Sequence, residues 1–218
     1  MKKIFILIVI MILKLSLYSQ TFSSFGISEI KEISESELRK AYKNIQKPKK
    51  WIFKGKRYNE LIDFYLKTNL GKQKNKDIGG YNVHDDLGYV EFKLPNGKNG
   101  YIIQEFIDYM PSYSIFINSD KKYEYIDFPS YGNMSKNNVY YAEIEQDCDF
   151  FLYCKWFTFD DKVNLIAEIT DTSYDYMSAI YDEIPNFFCD KTGYYYLIIS
   201  KGESANYKFY RITLNITE

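Results

Sequence analysis

Histidine, tryptophan and cysteine are scarce in this chain, with one, two and three copies in 218 residues. The lone histidine, His84, would have to serve as the base in any nucleophile–histidine pair. Asp85 and Asp86 follow it, but Asp85 projects from the opposite side of an extended chain and is poorly placed to orient the ring. No G-x-S-x-G elbow is present to expose a serine. One histidine and three scattered cysteines also lack the paired spacing of a zinc site. Three cysteines exclude a disulfide framework. In QDCDFFLYCKWF (residues 146–157), alternation places Cys148, Phe150, Leu152, Cys154 and Trp156 on one strand face. Six strand rises cover ~20 Å, whereas bridged Cα atoms sit about 4–7 Å apart, so Cys148 and Cys154 cannot bond each other on one straight strand. Either Cys189 bridges to one of them, or all three are small buried thiols.

Long apolar runs are missing as well. The uninterrupted run at residues 4–13 is about half of what crosses a bilayer, and Lys14 follows it. Lys2 and Lys3 precede it and a polar-to-small stretch follows, with cleavage expected after Ser19; these are the parts of a secretory signal. The expectation is an exported protein, periplasmic or extracellular, without a transmembrane helix in the mature chain. No cysteine near the cleavage point offers a lipid anchor. Asn133-Met-Ser135 and Asn215-Ile-Thr217 match the glycosylation acceptor pattern, but the signal has a bacterial character and both are read as chance matches. No repeat of roughly 20–50 residues and no low-complexity tract is present, which excludes solenoids and arrays.

Aromatics are abundant: 23 Tyr and 16 Phe, an enrichment that favours strands. Beyond residue 80 the apolar period is two. Val90, Phe92 and Leu94 alternate with Tyr89, Glu91 and Lys93, and Pro95-Asn96-Gly97 supplies a turn into a strand from Tyr101. Val163, Leu165, Ala167 and Ile169 alternate with polar residues, as do Tyr210, Ile212, Leu214 and Ile216. Before residue 80 the period is helical. Ser34 with Glu37 has capping-box spacing ahead of Leu38, Ala41, Tyr42 and Ile45, and Ser28 is a second candidate cap. Tyr58, Leu61, Ile62, Tyr65 and Leu66 mark a second helix. Residues 20–27 look unstructured, and residues 72–80 read as a linker. The fold expected is mostly β: an antiparallel, jelly-roll-like sandwich over residues 81–218, preceded by two short amphipathic helices in a basic segment over 20–80.

At the C-terminal end, GYYYLIIS (residues 193–200) with ANYKF (205–209) resembles the final hairpin of the secreted pre-peptidase C-terminal family. Those are small jelly-roll domains appended to exported bacterial enzymes, and the likeness covers residues 139–217. It implies a non-catalytic binding or folding role. The chain departs from that family in its tyrosine-rich strands and in carrying a basic helical segment, not a protease, ahead of the sandwich.

Charge is divided unevenly. Residues 20–80 carry 14 basic and 7 acidic side chains, and residues 81–218 carry 11 and 22. Nine of the cations fall in residues 39–57 with no acid among them. Arg39, Lys43, Lys47, Lys49, Lys50, Trp51, Lys54 and Arg57 form a candidate face for an anionic partner such as lipid headgroups or acidic glycan. The alternative is a basic face laid on the acidic half of the same chain. Export argues against nucleic acid. Tyr123, Tyr125, Tyr194 and Tyr196 are candidates for stacking on sugars or peptides. Asp147, Asp149, Asp160 and Asp161 are candidate calcium ligands on turns, although no D-x-D-x-D-G loop is present. No catalytic residue is singled out and no other cofactor is called for. The leading reading is a non-catalytic binding protein of the envelope or extracellular space, with an unknown protein or glycan partner and room for peripheral membrane contact. A secreted glycan or peptide hydrolase is the alternative, and a component of an envelope assembly the third.

Overall fold

The chain enters its first helix through a cap that is complete on both sides. Ser34 Oγ accepts from the Glu37 amide, and the Glu37 carboxylate accepts from the Ser34 amide at 2.9 Å. The computed structural model describes residues 23–72, 87–105, 114–118, 120–126, 132–144, 152–171, 176–177, 183–201 and 207–215. Helix α1 (Glu35–Lys43) turns Leu38 and Ala41 inward, and α2 (Lys56–Tyr65) turns Tyr58, Leu61, Ile62 and Tyr65 inward. Both helices therefore stand where the helical period put them.

Three antiparallel sheets make up the body. The inner sheet orders β1 (Ser23–Phe25), β10 (Val163–Asp171), β9 (Leu152–Phe159), β8 (Tyr140–Ile144) and β7 (Gly132–Met134). One outer sheet orders β11 (Tyr176–Met177), β13 (Tyr195–Lys201), β14 (Tyr207–Leu214) and β2 (Ile27–Ile33), with β12 (Phe187–Cys189) also paired to β13. The other is the meander β3 (Leu87–Lys93), β4 (Asn99–Glu105), β5 (Ser114–Ile117) and β6 (Tyr123–Ile126).

Alternating side chains stack these sheets into layers. Cys154 and Trp156 of β9 pack with Leu197, Tyr195, Ile199 and Ile212 of one outer sheet. Phe157 and Phe159 of the same strand point the other way, onto Val90, Phe92, Ile102 and Phe116. The outer faces are closed by the helices, α1 over Tyr196, Ile198 and Phe209, and α2 over Tyr89, Tyr101, Ile103 and Ile115. The order is α1, sheet, inner sheet, sheet, α2. A sandwich of two sheets has gained a third, and the inner sheet is covered on both faces.

Residues 20–27, expected to be unstructured, supply β1, and Ser28, the second candidate cap, starts no helix but lies in β2. β1 pairs with β10 in the inner sheet, and after Gly26 the chain continues as β2 along β14 in the outer sheet. Two bulges flank this corner. Thr213 pairs with Glu29 and Leu214 with Ile27, so Ser28 is the extra residue, and its hydroxyl donates to the Thr213 carbonyl at 3.0 Å. The bulge puts Ile27 and Ile30 on one face although they are three apart, while Ile33 reaches the α1 side. In β10 the register shifts between Leu165 and Ala167. Ala167 and Ile169 stay in the core, but Leu165 is 40% exposed. The four residues expected on one face of this strand are split by the bulge.

Candidate functional site

Residues 44–55 join α1 on one side of the stack to α2 on the other, and so must cross all three sheets. They do it as an extended strap with evenly spaced backbone bonds. The Gln46 amide donates to Cys189 O at 2.9 Å, at the edge of one outer sheet. The Lys49 amide donates to Met134 O at 3.0 Å, on the inner sheet's edge strand. Ile52 and Tyr89 exchange amide–carbonyl bonds of 2.8 and 3.1 Å on the edge strand of the third. Each step is three residues, or ~10 Å of extended chain, and stacked sheets lie about 10 Å apart. The strap is thus a ladder whose rung spacing equals the layer spacing. Its bonds occupy part of three strand edges that would otherwise be open.

Between the rungs the side chains face two ways. Trp51 is half-buried and packs between the inner sheet and the β3–β6 sheet. Lys49 is partly covered; burial pulls its pKa below the ordinary lysine value, with the Glu91 carboxylate acting in the opposite direction. Lys47, Lys50, Lys54 and Lys56 are exposed, and none forms an ion pair among the described residues. Ile52 and Phe53 are also exposed, at 37% and 49%. The chain then turns into α2 through Gly55, whose φ of +113° few other residues adopt.

The basic run is not one flat face. Arg39 and Lys43 ride on the outside of α1, where Arg39 is paired to Glu35 at 2.8 Å; Arg57 begins α2 and is paired to Glu60 at 2.8 Å. Among the described residues, the one carboxylate of the C-terminal part seen acting on a strap lysine is Glu91, on Lys49. The ion pairs between β2 and β14 join Glu29 to Arg211 and Glu32 to Lys208, with the acid contributed by the N-terminal part. Apolar burial and backbone bonding also join the N-terminal segment to the body.

The candidate tyrosines fall in two places. Tyr123 and Tyr125 stand exposed on edge strand β6, ring to ring at 5.7 Å, with Phe64 of α2 edge-on to Tyr123 at 6.0 Å. Burial raises the Tyr125 pKa. Tyr194 is exposed beneath the Arg211 guanidinium, 4.9 Å from its ring centre. Tyr196 is buried under α1, stacked on Phe188 at 5.0 Å, and donates to Asp190 at 3.1 Å. The pairs belong to opposite outer sheets and cannot form one stacking surface. Tyr196 is a core residue, because β13 is covered on both faces.

Of the candidate calcium ligands, Asp147 and Asp149 lie outside the described residues, as do His84 and Cys148. Asp160 shapes the β9–β10 turn by accepting from the Lys162 amide at 3.0 Å, which holds its pKa below the usual carboxylate value. Asp161 offers its backbone carbonyl to Asn118. Among the described residues no three His, Cys, Asp or Glu converge as metal ligands. Cys154 and Cys189 are buried thiols in the same core and are not bridged to each other. The Cys189 thiol donates to Gln46 at 3.4 Å, and burial pushes its pKa up to about 12.

Of the buried polar groups, Asp190 and Gln104 hold side-chain bonds to their surroundings without any local sequence signal. Asp190 accepts from the Thr192 and Tyr194 amides as well as Tyr196, fixing the turn between β12 and β13. Gln104, on β4, turns its side chain to the inner sheet, where its side-chain carbonyl accepts from the Tyr140 hydroxyl at 3.0 Å and from the Gly132 amide. Neither stands out in sequence, since an aspartate before Lys-Thr-Gly reads as an ordinary turn and a glutamine after Tyr-Ile-Ile as an outward residue.

Comparison with protein-family models, with curated proteins and with solved structures finds no match in any of the three. The likeness of residues 139–217 to the pre-peptidase C-terminal domains stands on its sequence motif alone.

Proposed function

We propose that this is an exported, non-catalytic binding protein whose strap meets an anionic partner outside the cytoplasm. The observation that supports it is the strap itself: its backbone is fixed at three rungs while Lys47, Lys50, Lys54 and Lys56 are left exposed and without carboxylate partners among the described residues. Four like charges held on a rigid edge repel one another and gain little from the fold. A partner of opposite charge converts that repulsion into association and speeds encounter. The same feature suits the narrower reading of a component docked in an envelope assembly.

Replacing Lys47, Lys50 and Lys54 together by glutamate tests the reading. These side chains are exposed, so each change should alter stability by no more than about 0.5 kcal/mol. The wild-type chain is expected to be retained on a polyanion resin at low ionic strength and the triple variant to flow through. Equal elution of the two proteins would remove the strap from the function.

A further inference from the structure

Resting on that reading, we infer that the partner of the strap is the surface of an anionic phospholipid bilayer. Three features of the patch favour lipid. First, its cations apart from Arg57 are lysines: Lys47, Lys49, Lys50, Lys54 and Lys56. Protein interfaces are depleted in lysine and enriched in arginine, which can fork onto a carboxylate, whereas lysine clusters beside apolar side chains suit a layer of phosphate headgroups. Second, the apolar content is small and placed at a corner. Ile52 and Phe53 stand exposed where the strap turns through Gly55 into α2, with Lys49 and Lys50 before them and Lys54 and Lys56 after. Two side chains offer too little apolar area for a stable protein interface of about 800 Å² per partner. They are enough to enter the headgroup–acyl boundary while flanking lysines, on their flexible stems, stay at phosphate level. Third, the field is directional. The mature chain read from the sequence has 25 basic and 29 acidic residues, so the body is repelled by an anionic membrane while this corner is attracted. The first turn of α2 carries Lys56 and Arg57 and no acid, so the positive end of the helix dipole adds to the same side. The protein would then sit with the strap edge down and all three sheets standing on the membrane.

The test uses the protein recovered after export, with its mass checked for loss of residues 1–19. It is mixed with vesicles of phosphatidylcholine alone or with phosphatidylglycerol, at low and high salt. Trp51 lies beside the patch and Trp156 is fully buried, so a change in emission reports the strap. The expected result is binding to the anionic vesicles only, lost at high salt, with a blue shift of Trp51. Lys50→Glu with Lys54→Glu should weaken partitioning at least fivefold per lysine, and Phe53→Ser should weaken it several-fold with unchanged circular dichroism. Retention of the wild type on the polyanion resin without vesicle binding would overturn the lipid assignment and leave an acidic glycan or protein as the anionic partner. Vesicle binding that ignores Phe53→Ser, with no Trp51 shift, would overturn it equally. Failure to bind resin or vesicles would remove both this inference and the reading beneath it.

Discussion

Gly26 shows how much of the architecture one residue can hold. Its φ is +68°, and a side chain there would overlap the Ile166 carbonyl at the β10 bulge. Glycine is required both for the backbone turn and for the close approach of the two strands. Gly97 is also left-handed, at φ +78°, but has open space around its Cα. Gly97→Ala is therefore expected to cost about 1 kcal/mol and Gly26→Ala clearly more, with the difference in urea midpoints giving the steric part. The thiols give a second residue-scale prediction. Cys154 and Cys189 are buried, and Cys189 is held protonated by burial and, less, by the Asp190 carboxylate, against the opposite pull of its hydrogen bond with Tyr195. At mildly alkaline pH neither should react with iodoacetamide faster than the chain unfolds, as read by mass spectrometry of peptides labelled with and without urea. Fast labelling of Cys189 in the folded protein would contradict the burial described.

At the scale of elements, the strap is where local sequence and global architecture meet. Its rungs at Gln46, Lys49 and Ile52 depend on a three-residue step. Inserting one glycine between Lys50 and Trp51 leaves the first two rungs seated and displaces the third by about 3.3 Å, turning Trp51 to the solvent side. The expected outcome is a red-shifted Trp51 emission and a loss of stability of about 2 kcal/mol, the scale of a large apolar side chain leaving its pocket. An unshifted spectrum would mean the rungs do not fix the strap. The elements also show what was legible in sequence and what was not. The Ser34–Glu37 box, the apolar stripe of α2 and the alternation of β3 and β9 are local patterns, and the structure follows them. β13 was legible as a strand but not for its surroundings. YYYLIIS puts Tyr195, Leu197 and Ile199 in one core and Tyr196 and Ile198 in another, so of its three tyrosines only Tyr194, ahead of the strand, is left exposed. β2 was hidden for the opposite reason. Isoleucines at 27, 30 and 33 have helical spacing, and only the Ser28 bulge, which no local rule announces, reconciles them with a strand. The exposure of the strap lysines was equally unreadable, because it depends on which edges the chain crosses.

For the whole molecule, the decisive fact is that the first described residues encircle the rest. β1 closes one edge of the inner sheet, β2 closes one edge of its neighbour, α1 covers that neighbour's outer face, the strap crosses the opposite edges, and α2 covers the third sheet. Residues 23–72 thus supply a strand to each of two sheets as well as both helices and the strap. This makes a sharp prediction about truncation. A chain starting at residue 34 keeps both helices and the strap but loses β1 and β2. It would expose the edge of β14 along the residues that pair Phe209 to Ile33 and Leu214 to Ile27, and would uncover the core that Ile27, Ile30 and Ile33 help to fill. Three partly or fully buried isoleucines at roughly 1–2 kcal/mol each approach the whole stability of an ordinary domain, and an open apolar strand edge invites pairing between copies. The fragment from residue 34 is expected to aggregate or to elute as an expanded species without a cooperative urea transition. A chain from residue 20 is expected to unfold in a single step with β-type circular dichroism. A fragment from residue 34 that folded as a stable monomer would show that the N-terminal strands decorate the stack; their backbone pairing and their share of two cores argue that they are part of it.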